Sequence, residues 1–373
     1  MASLFDATII NGMELKNRFL RSGTWTGMAT EDGIMTSKLK NLLVDVARGG
    51  AAAIVPDYMP VAKDGISANR QLGIYEDKHV DGLADMVNSV HDAGAKVVAQ
   101  INHGGAHANP ELTGVESKGP SAIPQTDSSA GGFEGCSEMT QQDIDQVVEA
   151  FRKAEGRCKQ AGFDGIQIHC AHGYLFSEFI SPFYNKRTDQ YGGNIIDRTR
   201  IVTDTYNTIR KELGSDYPIL VKMNVTDFLD DGLGYDEALQ IAKIFADIGI
   251  DAIELSGGTG WGMKVMGDLN RSPMRMVKEE DYYRDVASKM KNIFSTPVIL
   301  TGGIRSFQTA DNFLQNNTAD YIGLCRSLIH EPGLINRWQS GNTADSGCIS
   351  CNGCGMAAMM SGEDLACVQK KQE

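Results

Sequence analysis

Eight short apolar segments, each followed by a stretch with helical spacing, constrain the fold of this chain more than any other feature. Segments rich in β-branched residues that alternate with amphipathic stretches are typical of parallel strands joined by crossover helices. The predicted strands are Arg18–Ser22, Ala52–Pro56, Lys96–Ile101, Gly165–Cys170, Ile219–Asn224, Ala252–Ser256, Pro297–Thr301 and Tyr321–Cys325. Eight such units favour an α/β fold of the closed (β/α)8 TIM-barrel type. An open doubly wound sheet is the alternative, but no GxGxxG motif opens the first βα turn.

The stretch from Gln141 to Ala161 has the clearest helical pattern. Thr140 and Asp143 predict a capping box at its start, and Gly162 predicts its end. One apolar stripe recurs at helical spacing, formed by Ile144, Val147, Val148, Phe151, Ala154 and Cys158. The extra length of the chain lies mainly between Asn102 and Met139, where we expect a loop that helps to form a substrate pocket.

Composition limits the classes of partner. The 373 residues carry a formal net charge of -13, which argues against a nucleic acid or an anionic membrane surface as the main partner. The sequence has neither a secretory signal nor an apolar run long enough to span a bilayer. We therefore expect a cytoplasmic protein that binds a small molecule and has no nucleic-acid or membrane partner. The sequence is compatible with a homo-oligomer.

Polar residues and glycines follow several predicted strands, and in a barrel the carboxyl ends of the strands form the site. Gly302 and Gly303 follow strand seven, and Arg326 follows strand eight. Bare backbone N–H groups and a guanidinium at these positions are typical of a phosphate site. The sequence therefore predicts a phosphorylated ligand.

The end of strand four carries His169, His172 and Tyr174. Two imidazoles that donate N–H to a carbonyl oxygen, beside a phenol that donates a proton, form a coherent set for polarising an enone. Metal binding by the two histidines is the weaker interpretation, because no carboxylate follows at metal-site spacing.

Lys222 lies in the middle of predicted strand five, where a cation needs a negative partner. The anionic edge of a reduced flavin is one such partner. The rival interpretation is a Schiff-base lysine in a flavin-free barrel lyase.

A long series of motifs resembles the signature of the old yellow enzyme family of NADH:flavin oxidoreductases. Its main part is Ala161–Gly165, His169–Leu175, Phe179–Pro182, Asn185–Asp189 and Tyr191–Gly193. Further matches are Leu15–Arg18, Gln100–Gly105, Gly119–Pro124 and Thr301–Ile304. The resemblance covers roughly residues 4 to 340 and follows the order of the predicted strands.

This resemblance implies an FMN-dependent ene-reductase with NAD(P)H as reductant and an enone-type substrate. A hydride would pass from NAD(P)H to the flavin and then to the β-carbon of an α,β-unsaturated carbonyl compound. His169 and His172 would bind the carbonyl oxygen, and Tyr174 would protonate the α-carbon. The cofactor-binding residues would be Ser22, Gly23, Thr24, Asp57, Gln100, Lys222, Gly302, Gly303, Cys325 and Arg326.

Two positions depart from the family pattern. Trp25 stands where many members have a small Thr or Cys, so the redox tuning and pocket size of the family do not carry over to this chain. We expect Trp25 to bind substrate. Gln167 stands where a glutamate is common, two residues before the first histidine.

The third departure is a cysteine-containing tail over residues 341–373, which follows a barrel domain over 1–340. Its four cysteines, Cys348, Cys351, Cys354 and Cys367, resemble the cluster-binding segment of two-domain relatives, with different spacing. Four thiolates could hold a [4Fe–4S] cluster or zinc. We expect instead a single-domain member whose tail is reduced and metal-free. An electron-transfer or demethylating relative stays an alternative function.

Overall fold

The computed structural model describes residues 2–126, 133–264, 266–268, 271, 280 and 282–370. The strands are β1 (Thr8–Ile10), β2 (Met13–Leu15), β3 (Phe19–Arg21), β4 (Ala53–Ile54), β5 (Tyr58–Pro60), β6 (Lys96–Asn102), β7 (Lys118–Gly119), β8 (Ser137–Glu138), β9 (Gly165–Cys170), β10 (Ile219–Asn224), β11 (Ala252–Ser256), β12 (Val298–Thr301) and β13 (Tyr321–Leu324). The α-helices are α1 (Ser37–Arg48), α2 (Val80–Asp92), α3 (Pro110–Thr113), α4 (Gln141–Gln160), α5 (Leu175–Ile180), α6 (Ile195–Leu213), α7 (Tyr235–Ile248), α8 (Gly260–Lys264), α9 (Arg284–Ile293), α10 (Phe307–Gln315), α11 (Arg326–His330), α12 (Leu334–Gln339) and α13 (Gly353–Ser361).

Eight parallel strands close into a barrel, which confirms the predicted fold. Their order is β4-β3-β13-β12-β11-β10-β9-β6, and pairing of β4 with β6 completes the ring. The bounds of β9, β10 and β11 agree with the predicted strands, and the other five differ by at most two residues at either end. Strand β5 was not predicted; it pairs in parallel with the second half of β6.

The barrel interior is closed at one end by the antiparallel hairpin of β1 and β2. Ile10, Met13 and Leu15 of this hairpin join the inner core cluster with Leu20 and Leu220 from the barrel strands. Because side chains alternate along a strand, Lys222 and Asn224 share the inward face with Leu220. The hairpin occupies the amino end of the barrel, so the polar inward residues lie toward the carboxyl ends of the strands.

Helix α4 has the predicted start. Thr140 is its N-cap, and Thr140 and Asp143 form the reciprocal capping box. Its buried face comprises Ile144, Val147, Phe151, Ala154, Glu155 and Cys158. None of the helices in the described part of the chain is long and apolar enough to cross a bilayer.

The segment after α12 runs back over the barrel. The backbone N–H of Ser346 donates to the carbonyl oxygen of Arg305 at 2.8 Å, and that of Leu365 donates to Thr26 at 2.8 Å. The guanidinium of Arg70 lies 3.0 Å from the carboxylate of Asp364. This segment therefore packs on the end of the barrel where the strands finish.

Candidate active site

A cavity of about 450 Å³ lies at the carboxyl ends of the barrel strands. The predicted site residues among those that line it are Ser22, Gly23, Thr24, Trp25, Gln100, His169, His172, Tyr174, Lys222, Gly302, Gly303, Cys325 and Arg326. The long loop after β6 contributes His107 and Asn109, while residues 127–132 of that loop lie outside the described residues.

One wall of the cavity consists of the two predicted histidines. Their rings lie 5.0 Å apart and perpendicular. The Nδ1 atom of His169 accepts from the backbone N–H of Ala171 at 3.3 Å, so its proton lies on Nε2. The Nε2 atom of His172 lies 2.6 Å from the hydroxyl of Ser256. Burial, with Lys222 nearby, lowers the pKa of both imidazoles well below the ordinary value, so both are neutral N–H donors.

Tyr174 has a second phenol as its partner. Its hydroxyl donates to that of Tyr58 at 2.8 Å, and the two rings lie 5.0 Å apart. Burial raises the pKa of both phenols above the ordinary value, so both keep their protons. Sequence reasoning missed Tyr58, which lies two residues after predicted strand two.

The floor of the cavity holds a buried ion pair. The Nζ atom of Lys222 lies 3.0 Å from Oε1 of Glu254 and 2.7 Å from the hydroxyl of Ser22. Burial acts to raise the pKa of Glu254, but Lys222 and the surrounding donors hold that pKa below the ordinary value. The negative partner that Lys222 requires is thus supplied by the protein, and Glu254 is a second residue that sequence reasoning missed.

The opposite end of the cavity suits a phosphate. Gly303 lines this end with a φ of 71°, a conformation that favours glycine. Arg305 and Arg326 line the same end, where Nη1 of Arg326 donates to the side-chain oxygen of Asn352 at 2.7 Å.

Gly23 and Gln100 both line the cavity. A Cβ at Gly23 would lie 2.8 Å from Oε1 of Gln100 and 3.0 Å from Cγ1 of Val55, so glycine permits the close approach at this surface. Together with the phosphate end and the cation at the floor, this surface fits FMN.

Asp57 does not line the cavity. It is fully buried, and its Oδ1 accepts from the backbone N–H of Tyr58 at 2.9 Å. Burial raises its pKa to about 7, against the opposing charge of Arg21. Asp57 therefore lies one layer behind the wall, and its predicted contact with the cofactor stays a prediction.

Trp25 and the tail complete the cavity. The indole N–H of Trp25 donates to the carbonyl oxygen of Asn69 at 3.0 Å. Cys348 and Cys354 line the cavity, whereas Cys351 is exposed and the Sγ atom of Cys367 lies 3.3 Å from Nδ1 of His330. Within the described residues, no group of three or more His, Cys, Asp or Glu side chains is arranged to hold a metal ion.

The sequence profile of the NADH:flavin oxidoreductase / NADH oxidase family matches residues 3–345. The chain belongs to this family. Members of this family use FMN with NAD(P)H as reductant. The matched region ends before the first cysteine of the tail, so the resemblance of the cysteine motif is not confirmed.

Three relatives illustrate the range of the family. An NADPH dehydrogenase of Bacillus licheniformis is 33% identical over 330 residues, covering 88% of this chain and 91% of its own. A 4,4'-dithiodibutanoate disulfide reductase of Rhodococcus erythropolis is 29% identical, with 94% and 92% covered. An NADH oxidase of Thermoanaerobacter brockii is 31% identical over 94% of this chain, which spans only 53% of that relative.

Two solved structures share the fold. A 2-naphthoyl-CoA reductase superposes with a TM-score of 0.89 at 24% identity, covering 98% of this chain and 56% of its own. The old yellow enzyme homologue of Zymomonas mobilis has a TM-score of 0.78 at 23% identity, with 93% and 95% covered. The chain thus spans about half the length of some relatives and nearly all of others.

Proposed function

We propose that this chain is an FMN-dependent ene-reductase, which uses NAD(P)H to reduce the C=C bond of α,β-unsaturated carbonyl compounds. The observation that carries the proposal is the wall of two neutral imidazoles beside a protonated phenol. Neutral imidazoles donate hydrogen bonds to a carbonyl oxygen, and a phenol with a raised pKa keeps the proton that the product requires.

The residues at the two ends of the cavity would hold the cofactor. Gly302, Gly303 and Arg326 would bind the phosphate, while Gln100 and Lys222 would bind the polar edge of the ring. When bound, FMN supplies the hydride chemistry, accepting from NAD(P)H and donating to the β-carbon of the acceptor.

The side chains of strand β9 and the turn after it would act on the substrate carbonyl and the α-carbon. His169 and His172 would donate to the carbonyl oxygen, where negative charge develops as the hydride arrives. Removal of one such donor typically costs about 3 kcal/mol of transition-state stabilisation. Tyr174 would then protonate the α-carbon, with the Tyr58 hydroxyl holding its phenol in place beforehand.

The contacts of Lys222 argue against a Schiff-base lyase. Its Nζ atom already contacts Glu254 and Ser22, so the amine is engaged by the protein rather than directed at a substrate carbonyl. Borohydride trapping with carbonyl compounds should therefore leave Lys222 unlabelled.

Anaerobic spectroscopy of the purified protein tests the proposal. We expect a yellow protein that NAD(P)H bleaches and that an enone then recolours. If NAD(P)H bleaches the protein and an organic disulfide restores the colour but no enone does, the electron acceptor is a disulfide rather than a C=C bond. A preparation that cannot be reconstituted with FMN would reject the cofactor.

Tyr174→Phe tests the proton donor. We expect flavin reduction at the original rate and reoxidation by an enone slowed by about 10²-fold, because only the second half-reaction needs the phenol. Tyr235→Phe, at a phenol 41% exposed on α7, is the matched control. His172→Ala should weaken the binding of phenolic ligands in the same cavity. Unchanged kinetics and binding in both variants would remove the assignment of this wall.

We also propose a division of the chain into a barrel over 1–340 and a tail over 341–373 that forms part of the cofactor site. Metal analysis of the purified protein tests the accompanying prediction that Cys348, Cys351, Cys354 and Cys367 hold neither zinc nor a cluster.

A further inference from the structure

Glu254 is surrounded by donors from four parts of the barrel. Oε1 accepts from the hydroxyls of Ser22 at 2.5 Å and Thr301 at 2.9 Å, and lies 3.0 Å from Nζ of Lys222. Oε2 accepts from Nε2 of Gln167 at 2.8 Å. The side chain is buried. So complete a set of donors holds the carboxylate in one position and in its charged form.

The charge of Glu254 also orients two amides. A carboxylate only accepts, so Gln167 must direct its NH₂ group at Glu254. The Oε1 atom of Gln167 then accepts from Nε2 of Gln100 at 2.6 Å. This leaves Oε1 of Gln100 as the free end of the series, beside Gly23 at the cavity surface. The cavity therefore presents an acceptor at Gln100 and a cation at Lys222.

The network has two neighbouring positions that could carry its negative charge. Here Gln167 lies on β9, and the negative charge stands on β11, at Glu254. The two side chains are in direct contact, so a glutamate at either position would place a negative charge in the same network.

We propose that Glu254 is a positioning residue that offsets the charge of Lys222 and fixes the acceptor of Gln100, and thereby sets the reduction potential of FMN in this cavity. The inference rests on the proposed FMN site. Without the carboxylate, the uncompensated cation at the floor would favour the anionic reduced flavin over the neutral oxidised one. The potential of bound FMN would then rise.

The test is the midpoint potential of FMN bound to Glu254→Gln, measured anaerobically against reference dyes. We expect the affinity for reduced FMN, relative to the affinity for oxidised FMN, to increase at least tenfold. For a two-electron couple this raises the midpoint potential by about 30 mV. The double variant Gln167→Glu/Glu254→Gln returns the negative charge to the network. It should restore the ratio of affinities for reduced and oxidised FMN to within threefold of that in the unaltered protein.

Two further comparisons exclude other causes. Lys222→Arg/Glu254→Gln, measured against Lys222→Arg, repeats the test with a cation that cannot lose its proton. Glu178→Gln changes another fully buried glutamate, whose pKa is raised by burial and whose Oε2 accepts from the N–H of Ala106, and should leave the potential unchanged.

The outcomes distinguish a failure of this inference from a failure of the proposed function on which it rests. If the unaltered protein binds no FMN, the proposed function fails. The role of Glu254 is rejected if FMN binds stoichiometrically but Glu254→Gln changes the ratio of affinities for reduced and oxidised FMN by less than threefold, both alone and in the Lys222→Arg background. It is also rejected if the double variant Gln167→Glu/Glu254→Gln does not restore that ratio. Should Glu254→Gln not fold, Gln167→Glu alone must lower the potential, because it adds a second negative charge to the network.

Discussion

The phenol of Tyr174 has its proton directed at Tyr58, which makes Tyr58 the residue that tunes the proton donor. The hydrogen bond from Tyr174 to Tyr58 lowers the pKa of Tyr174 against the larger effect of burial. In Tyr58→Phe that bond is lost, so the Tyr174 phenol becomes a weaker acid. We expect reoxidation by an enone to slow by about tenfold, with flavin reduction unchanged, in anaerobic stopped-flow measurements. Equal slowing of both half-reactions would indicate a structural role instead.

A second prediction at this scale concerns the charge of the two histidines. Burial lowers the pKa of His169 and His172 well below 6.5, so neither takes up a proton as the pH falls from 8 toward 6. Their ring ¹⁵N shifts should stay those of neutral imidazoles over this range, with Nε2 of His169 protonated. Resonances assigned by His169→Gln and His172→Gln provide the measurement. A His169 resonance that titrates near pH 6.5 would contradict the assignment of a neutral donor.

Among the elements, β12 and β13 approach each other closely at Gly323. A Cβ at Gly323 of β13 would lie 1.9 Å from Oγ1 of Thr301, whose hydroxyl donates to Glu254. Gly323→Ala should therefore displace Thr301 and lower the free energy of unfolding by about 1–3 kcal/mol in urea titrations. Gly156→Ala in α4, where a Cβ would meet nothing within 4 Å, should raise it by about 0.5–1 kcal/mol. If Gly323→Ala and Gly156→Ala change the free energy of unfolding in the same direction, the steric argument is refuted.

The elements also show what the sequence can predict and why. Strands β9, β10 and β11 were predicted to the residue, because each is a short, mainly apolar segment bounded by turn residues. Glu254 was inside one of those predicted strands but was missed, since nothing local reveals that a buried carboxylate meets a lysine one strand away. Tyr58 was missed for a similar reason: β5 is three residues long, and only its pairing with β6 brings that phenol to the site.

At the scale of the whole molecule, the barrel alone does not enclose the cavity. Ala358, Met359 and Leu365 of the tail line it together with residues from the strand ends. Arg70 connects the two parts through its contacts with the carbonyl oxygen of Gly362 and the carboxylate of Asp364. The tail is thus a wall of the proposed cofactor site, although it lies beyond the region that the family profile matches.

If that wall retains the cofactor, loosening it should release FMN without unfolding the barrel. Leu365 is 3% exposed, and its backbone N–H donates to Thr26. Leu365→Ala removes a buried side chain, a change that costs about 2–5 kcal/mol in cores. Because Leu365 belongs to the tail, the change should weaken packing of the tail on the barrel. We expect the FMN dissociation rate to rise at least tenfold and the urea midpoint of the apo-barrel to change little. Met360→Ala, at a side chain 80% exposed on α13, should leave the dissociation rate unchanged. Equal FMN release from both variants and the unaltered protein would mean that the barrel holds the cofactor by itself and that the tail only covers it.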